Sequence, residues 1–317
     1  MNDQDFQSLQ SRRDFLKHTG MMAAAAPIIS KTENDAYAAG TTFTDVVDCH
    51  FHLWAADKEK FPFHPNAPYI PNGESSIEQW IEDRKNSGIS IGIFVSPEPY
   101  QDDMRYVIHC MEKAPEHLRG TCLFNPNVKE SLRRMEETVK GRNFVASRIH
   151  SYGTVNDAEW RNPNFEAFWE KIGELDLVAQ LHMHPEWSWE LERMVKKYPD
   201  MRVVIDHLGR PRQGNPVDYQ VLLGLSDYPN VYIKLCALAG QSLQDPPYEN
   251  LRPLLKEIAR RFTPDRMVWG DSYTGSGGIG GAAYADSIRM TSQLLNFLTI
   301  EEQRKIFIET PRKLFKL

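Results

Sequence analysis

Basic residues are not in excess, glycines do not gather where a nucleotide would need them, and no part of the chain stays apolar for long. Lys and Arg number 37 against 43 Asp and Glu, a formal net charge of −6. A mildly acidic chain without a basic stripe is a poor partner for nucleic acid. No segment reaches the ~18 consecutive apolar residues of a permanent membrane span. The first apolar run is not followed by the Gly-rich phosphate turn of an open doubly wound sheet, which excludes the main α/β competitor to a barrel. Cysteine is scarce: Cys49, Cys110, Cys122 and Cys236 show no CxxC spacing, so neither a zinc knuckle nor a redox motif is present. Cys49, Cys122 and Cys236 lie in or beside apolar runs, where a free buried thiol is the commoner outcome, and the four are read as structural.

The N-terminus is built for another purpose than folding. Ser11-Arg12-Arg13-Asp14-Phe15-Leu16-Lys17 precedes a modestly apolar stretch from Met21 to Ile29 and then Ala36-Tyr37-Ala38. That order matches a twin-arginine export signal with a small-residue cleavage pattern. It predicts a leader over residues 1–38, recognised by the export machinery, and a mature domain over 39–317 in the periplasm or another extracytoplasmic space. Twin-arginine export carries folded proteins, often with a cofactor already in place, which is a mild argument for a metal.

From residue 43 onward short β-branched or apolar runs alternate with longer amphipathic stretches. Strands are expected at 44–48, 90–96, 119–124, 144–150, 177–183, 202–206, 231–236 and 266–270. Helices are expected at 76–87, 102–114, 129–140, 163–175, 187–198, 216–226, 248–261 and 283–298, with apolar residues three and four apart, as in Leu251, Leu254, Leu255 and Ile258. Asn162-Pro163 and Asn215-Pro216 read as helix starts. Eight strand–helix units in this length predict a single (β/α)8 TIM barrel. The loop after the first strand, roughly 54–75, is rich in Pro, Phe, Tyr and His. It is either a lid over the mouth or a self-packed surface loop.

Catalytic residues of such a barrel sit at the C-terminal strand ends. His50 and His52 end the first strand two positions apart and therefore on one side. Arg148 and His150 end the fourth, His182 and His184 the fifth, His207 the sixth with Arg210 just beyond, Lys234 and Cys236 the seventh, and Asp271 the eighth. Of ten histidines, those six gather at strand ends. Convergent imidazoles with a carboxylate suit a divalent-metal hydrolase, the nitrogens holding the ion and the acid taking a proton from water. Arg148 facing the mouth has two readings, a substrate anion or a buried ion pair. Ser96-Pro97-Glu98 at the second strand end is given no role, and Asn125-Pro126-Asn127 at the third reads as turn chemistry.

Four segments carry a family resemblance: Asp48-Cys49-His50-Phe51-His52-Leu53-Trp54, Asp206-His207-Leu208-Gly209-Arg210-Pro211, Pro229-Asn230-Val231-Tyr232-Ile233-Lys234-Leu235 and Asp265-Arg266-Met267-Val268-Trp269-Gly270-Asp271-Ser272. Together they resemble the amidohydrolase-related branch of the amidohydrolase superfamily, TIM-barrel hydrolases similar to sugar-acid lactonases and 2-pyrone-4,6-dicarboxylate lactonase, over about Val46 to Leu317. The resemblance implies His50 and His52 as the first-strand pair, His182 and His207 as the fifth- and sixth-strand histidines, Asp271 as the eighth-strand acid and Arg210 as a substrate-carboxylate residue. Some members use Zn²⁺ or Mn²⁺ and certain lactonases hydrolyse without a metal, so membership leaves the cofactor open.

Two departures stand out. The family pattern at strand 8 is Trp-Gly-Ser-Asp, whereas this chain reads Trp269-Gly270-Asp271-Ser272, and one residue along a strand reverses the facing direction. Either a bulge turns Asp271 inward again or Ser272 takes the acid's place. Near the C-terminus Glu309-Thr310 stands where relatives carry Asn-Ala, a change expected to touch only the closing helix.

The expected activity is hydrolysis of a lactone or cyclic ester of a sugar acid or small carboxylic acid. Asp271, His207 and His182 are the catalytic residues and Arg210 and Arg148 hold an anionic small molecule. His50, His52, His182, His207 and Asp271 are the ligands of one divalent Zn or Mn. A metal-dependent non-oxidative decarboxylase and a non-catalytic ligand-binding barrel are the alternatives, and a homo-oligomer is compatible with the reading.

Overall fold

A computed structural model describes residues 42–153, 157–274 and 284–317. The expected twin-arginine leader and the Gly-rich stretch after Thr274 lie outside the described residues. Eight strands, β1 (Val46–Phe51), β2 (Ile89–Val95), β3 (Leu118–Leu123), β4 (Phe144–Ser151), β5 (Val178–Met183), β6 (Val203–Ile205), β7 (Val231–Leu235) and β8 (Met267–Trp269), pair in parallel in sequence order. Helices α1 (Ile77–Lys85), α2 (Arg105–Lys113), α3 (Glu130–Val139), α4 (Pro163–Glu174), α5 (Ser188–Lys197), α6 (Pro216–Gly224) and α7 (Arg252–Phe262) lie between successive strands, and α8 (Tyr284–Leu294) follows β8. This is the (β/α)8 TIM barrel expected from the alternation.

The local chemistry agrees with the elements. Asn162 caps α4 by accepting from the Asn164 N–H at 2.9 Å, and Asn215 caps α6 by accepting from the Asp218 N–H at 3.0 Å, each with Pro in the first turn. Helix α7 turns Leu255, Ile258, Ala259 and Phe262 onto the sheet, an apolar stripe at helical spacing. Among the described residues no helix is long and apolar enough to cross a membrane.

Strand alternation sorts the barrel interior into layers. Val47, Cys49, Ile93, Ala146, Val178, Val204, Tyr232 and Val268 form an apolar lower layer, completed by Leu314 and Phe315 from the chain's end. That end runs beneath the strand starts: the Leu314 carbonyl accepts from Arg202, Lys316 pairs with Asp176, and Arg312 pairs with Asp45. Two residues further along each strand, the same faces carry Arg148, Gln180, Asp206, Lys234 and Gly270, and two further again His150, His182 and Cys236. The Thr310 hydroxyl donates to the Pro264 carbonyl at 2.9 Å, tying the closing helix to the segment before β8.

The seam between β8 and β1 is joined differently from the other strand pairs. The Asp48 carboxylate accepts from the backbone N–H of both His50 and Asp271 at 2.9 Å and from the Tyr284 hydroxyl. Beyond it the Ser272 N–H donates to the His50 carbonyl at 2.6 Å and the His52 N–H to the Tyr273 carbonyl at 3.0 Å. Gly270 has no room for a side chain: a Cβ there would lie 2.5 Å from the His50 Cβ and 2.8 Å from its backbone nitrogen.

Candidate active site

Beneath the mouth lies a buried ion pair. The Lys234 ammonium sits 2.9 Å from one Asp206 oxygen, and neither side chain is exposed. The other oxygen accepts from the Gln180 amide at 2.9 Å and faces the Arg148 Nε at 3.6 Å. Burial alone would raise the Asp206 pKa; the Lys234 charge overrides it and holds the carboxyl well below the ordinary range. Arg148 is thus paired with Asp206 below, the second of its two readings, while its Nη2 reaches His182 above.

On that platform stand the histidines. The His50 ring lies 4.8 Å from His207 and 5.0 Å from His52, centroid to centroid, and His207 lies 4.5 Å from His182. Burial holds all four imidazoles neutral, with the His52 and His207 pKa values down to about 3. His52 is fixed through Nδ1 and the Val95 carbonyl at 2.8 Å. His207 is delivered by a run of left-handed backbone, with φ of 58° at His207, 56° at Leu208, 72° at Gly209 and 55° at Arg210. Three of those residues carry a Cβ that disfavours the conformation, and strain of this kind persists where the surroundings impose it, commonly at functional sites.

His182 is held between two arginines. Arg148 Nη2 lies 3.0 Å from its Nδ1 and Arg210 Nη1 lies 2.5 Å from its Nε2. A neutral imidazole has a single lone pair to accept with, and a guanidinium only donates. The trio therefore carries one donor more than it can use. Tyr152 stacks on the other face of the assembly, 3.8 Å from the His182 ring and 4.8 Å from the Arg210 guanidinium. Burial and the neighbouring Arg148 charge lower the Arg210 pKa to about 10.

The sequence expectation brought together His50, His52, His182, His207, Arg148 and Arg210, and all six converge. Asp271 enters neither of the cation-capable groupings found among the described residues. The Asp271 charge acts on the Tyr273 and Tyr284 hydroxyls, while the carboxylate beside the neutral His50 ring is Asp206, 3.7 Å from Nδ1 and beyond hydrogen-bond distance. Ser272, at a φ of 65°, accepts from the Ala237 N–H at 2.9 Å.

Two groupings capable of holding a cation emerge among the described residues, and neither includes Asp271. They are His50, His207 and Cys236, and Glu98, His150 and His182, with ligand atoms in each within 4.8 Å of one another. Sequence reasoning passed over Glu98 and Cys236. Glu98 follows a Pro after β2, where no periodicity signals direction, yet its carboxylate is buried, lies 3.4 Å from His150 Nδ1, and leaves Oε1 without a hydrogen bond. Burial raises its pKa. All four cysteines are free and buried, as read, but Cys236 also faces the site. Phe61 packs 5.1 Å from Tyr106, while the Tyr69 hydroxyl comes within electrostatic reach of Glu98 and Arg148.

A model of the amidohydrolase family matches residues 47–317. The chain belongs to the amidohydrolase family. Its sequence relatives include proteins named for lactone hydrolysis. It is 26% identical over 276 residues to a 4-sulfomuconolactone hydrolase of Hydrogenophaga intermedia, covering 84% of this chain and 88% of the relative. An L-fucono-1,5-lactonase of Burkholderia ambifaria is 22% identical over 233 residues, 72% of this chain and 79% of the relative. Among solved structures, a probable 2-pyrone-4,6-dicarboxylic acid hydrolase of Acinetobacter baumannii with citric acid bound superposes with a TM-score of 0.73 at 21% identity, over 86% of this chain and all of that one. An amidohydrolase of Burkholderia multivorans with bound zinc gives 0.69 at 14% identity, over 86% and 99%. These likenesses establish the shared barrel.

Proposed function

We propose that the protein opens the ring of a small lactone that carries an anionic group, a carboxylate or sulfonate, and that it works outside the cytoplasm. The observation that carries the substrate class is the surplus of donors around His182. Arg148 and Arg210 together offer more N–H groups than one imidazole accepts, and an anion between them satisfies the excess with charge-assisted hydrogen bonds. The lactone relatives agree with this reading, as does Arg12-Arg13 for the location.

The anion would be fixed by Arg148 and Arg210, with Tyr152 and Tyr69 beside it, leaving the ester carbonyl over His182 and His207. Glu98 replaces Asp271 as the carboxylate facing the mouth, and it takes the proton as water adds to the carbonyl. Hydrolysis breaks the ring C–O bond and leaves a hydroxy acid. A divalent ion fits the floor at His50 and His207: both ring nitrogens of His50 are buried without a hydrogen-bond partner, and burial keeps both rings neutral. When bound, such an ion polarises a carbonyl and acidifies water.

A panel of carboxylated, sulfonated and neutral lactones, followed by a pH indicator with product identified by mass, tests the proposal. Proton release with the anionic members supports it. Turnover restricted to neutral lactones, or CO2 release from aromatic acids instead, overturns it.

A further inference from the structure

We infer that Cys236 is a metal ligand, completing with His50 and His207 a two-nitrogen, one-sulfur centre that selects zinc over manganese. The inference deepens the reading of His50 and His207 as a metal floor and rests on it. Cys236 follows β7 on the same inward face as Tyr232 and Lys234, so its Sγ points into the barrel one layer above the Asp206–Lys234 pair. Its sulfur lies 3.1 Å from His207 Nδ1 and accepts from the His207 backbone N–H at 3.3 Å. With His50 the three ligand atoms fall within 4.8 Å of one another.

The independent observation is His50. Its side chain is 1% exposed, and neither Nδ1 nor Nε2 has a hydrogen-bond partner. A buried polar group left without a partner is costly, and a metal ion is the one ligand that satisfies an imidazole lone pair without requiring a proton. The rival grouping, Glu98 with His150 and His182, is a worse place for a cation. Both nitrogens of His182 face guanidinium groups there. At the Cys236 grouping the nearby Lys234 charge is already compensated by Asp206.

Ligand softness decides the metal. Thiolate and imidazole suit zinc, whereas manganese prefers carboxylate, carbonyl and water oxygens. Three protein ligands with a fourth position toward the mouth is the pattern of a catalytic rather than a structural zinc site. On binding, the metal–sulfur bond replaces the S–H bond and the proton leaves to solvent.

Cobalt substitution reads the sulfur directly and needs no lactone to turn over. Metal-stripped full-length protein, titrated with Co²⁺, should bind one equivalent and develop a thiolate-to-cobalt charge-transfer band in the near ultraviolet. Cys236→Ser should abolish that band, and Cys49→Ser, which alters the buried thiol of the apolar lower layer, should keep it. His50→Ala should weaken Co²⁺ binding at least tenfold. For a case in which Cys236→Ser fails to fold, zinc X-ray absorption of the unaltered protein should show sulfur at about 2.3 Å. The inference is overturned by one bound equivalent with no charge-transfer band, by a band that survives Cys236→Ser, by no cobalt binding at all, or by zinc with only nitrogen and oxygen neighbours. A lactone panel that fails while the sulfur signal is present removes the proposed reaction and leaves the metal centre standing.

Discussion

The Asp48 carboxylate accepts the backbone N–H of Asp271 at 2.9 Å, so the barrel's last seam is joined by a side chain where neighbouring strands use carbonyls. The same carboxylate holds the His50 N–H at 2.9 Å. One acid therefore sets the height of the first-strand histidine against strand 8 and fixes the backbone of Asp271. Burial raises the Asp48 pKa to about 6 against the lowering effect of these hydrogen bonds.

The acid assignments separate under mutation. Glu98→Gln is expected to lower kcat on an anionic lactone roughly 10²–10⁴-fold, the usual loss for a positioned proton acceptor. Asp271→Asn should lower the denaturation midpoint and leave most of the turnover. Steady-state kinetics beside urea melts of both variants check the pair, and a silent Asp271→Asn with an active Glu98→Gln would return the role to Asp271.

Lys234→Met should be far more damaging than its position away from substrate suggests. It leaves the Asp206 charge buried without its closest cation, a change that typically costs about 3–5 kcal/mol. Adding Asp206→Asn removes the orphan charge and should recover part of the loss. Denaturant titration of the two single variants and the double variant measures the coupling.

Gly270→Ala places a methyl group against the His50 Cβ and backbone. Because backbone and a Cβ cannot step aside as a flexible side chain would, the expected cost is about 1–3 kcal/mol, with metal content falling as His50 is displaced. Normal stability and full metal occupancy in the variant would contradict this picture of the seam.

Arg210→Met removes a charged donor from the mouth. Hydrogen bonds to charged groups contribute about 1.5–3 kcal/mol, so KM for an anionic lactone should rise between tenfold and a hundredfold. A neutral lactone should show no comparable change, which separates anion recognition from general damage.

Replacing Arg12 and Arg13 with Lys should hold the precursor in the cytoplasm. Cell fractionation reads the outcome, and mature protein still found outside the inner membrane would remove the twin-arginine proposal.

Period-two alternation made most of the site legible before any coordinates. Ala146, Arg148 and His150 on β4, and Val178, Gln180 and His182 on β5, occupy the columns that their spacing dictates. The failures have physical reasons. A strand pattern carries no information past its last paired residue, so Glu98 beyond Pro97 received no role, while Cys236, at the end of the seventh strand, read as a structural thiol. The left-handed run from His207 to Arg210 goes against the preference of three of its residues and is imposed by tertiary context. Asp48 looked like the flank of a histidine motif, and its bond to Asp271 spans 223 positions, beyond any local pattern.

The plug formed by Leu314 and Phe315 affects the chemistry from the opposite end of the barrel. The Asp206–Lys234 pair owes its strength to a low local dielectric, and water can approach it from the mouth or from beneath. Substrate closes the first route only while it is bound. The second is closed permanently by the last turn of the chain, packed against Val47, Val178, Val204 and Val268. Those two hydrophobic side chains, remote from every histidine, thereby serve as insulation for the charges on which the histidines stand.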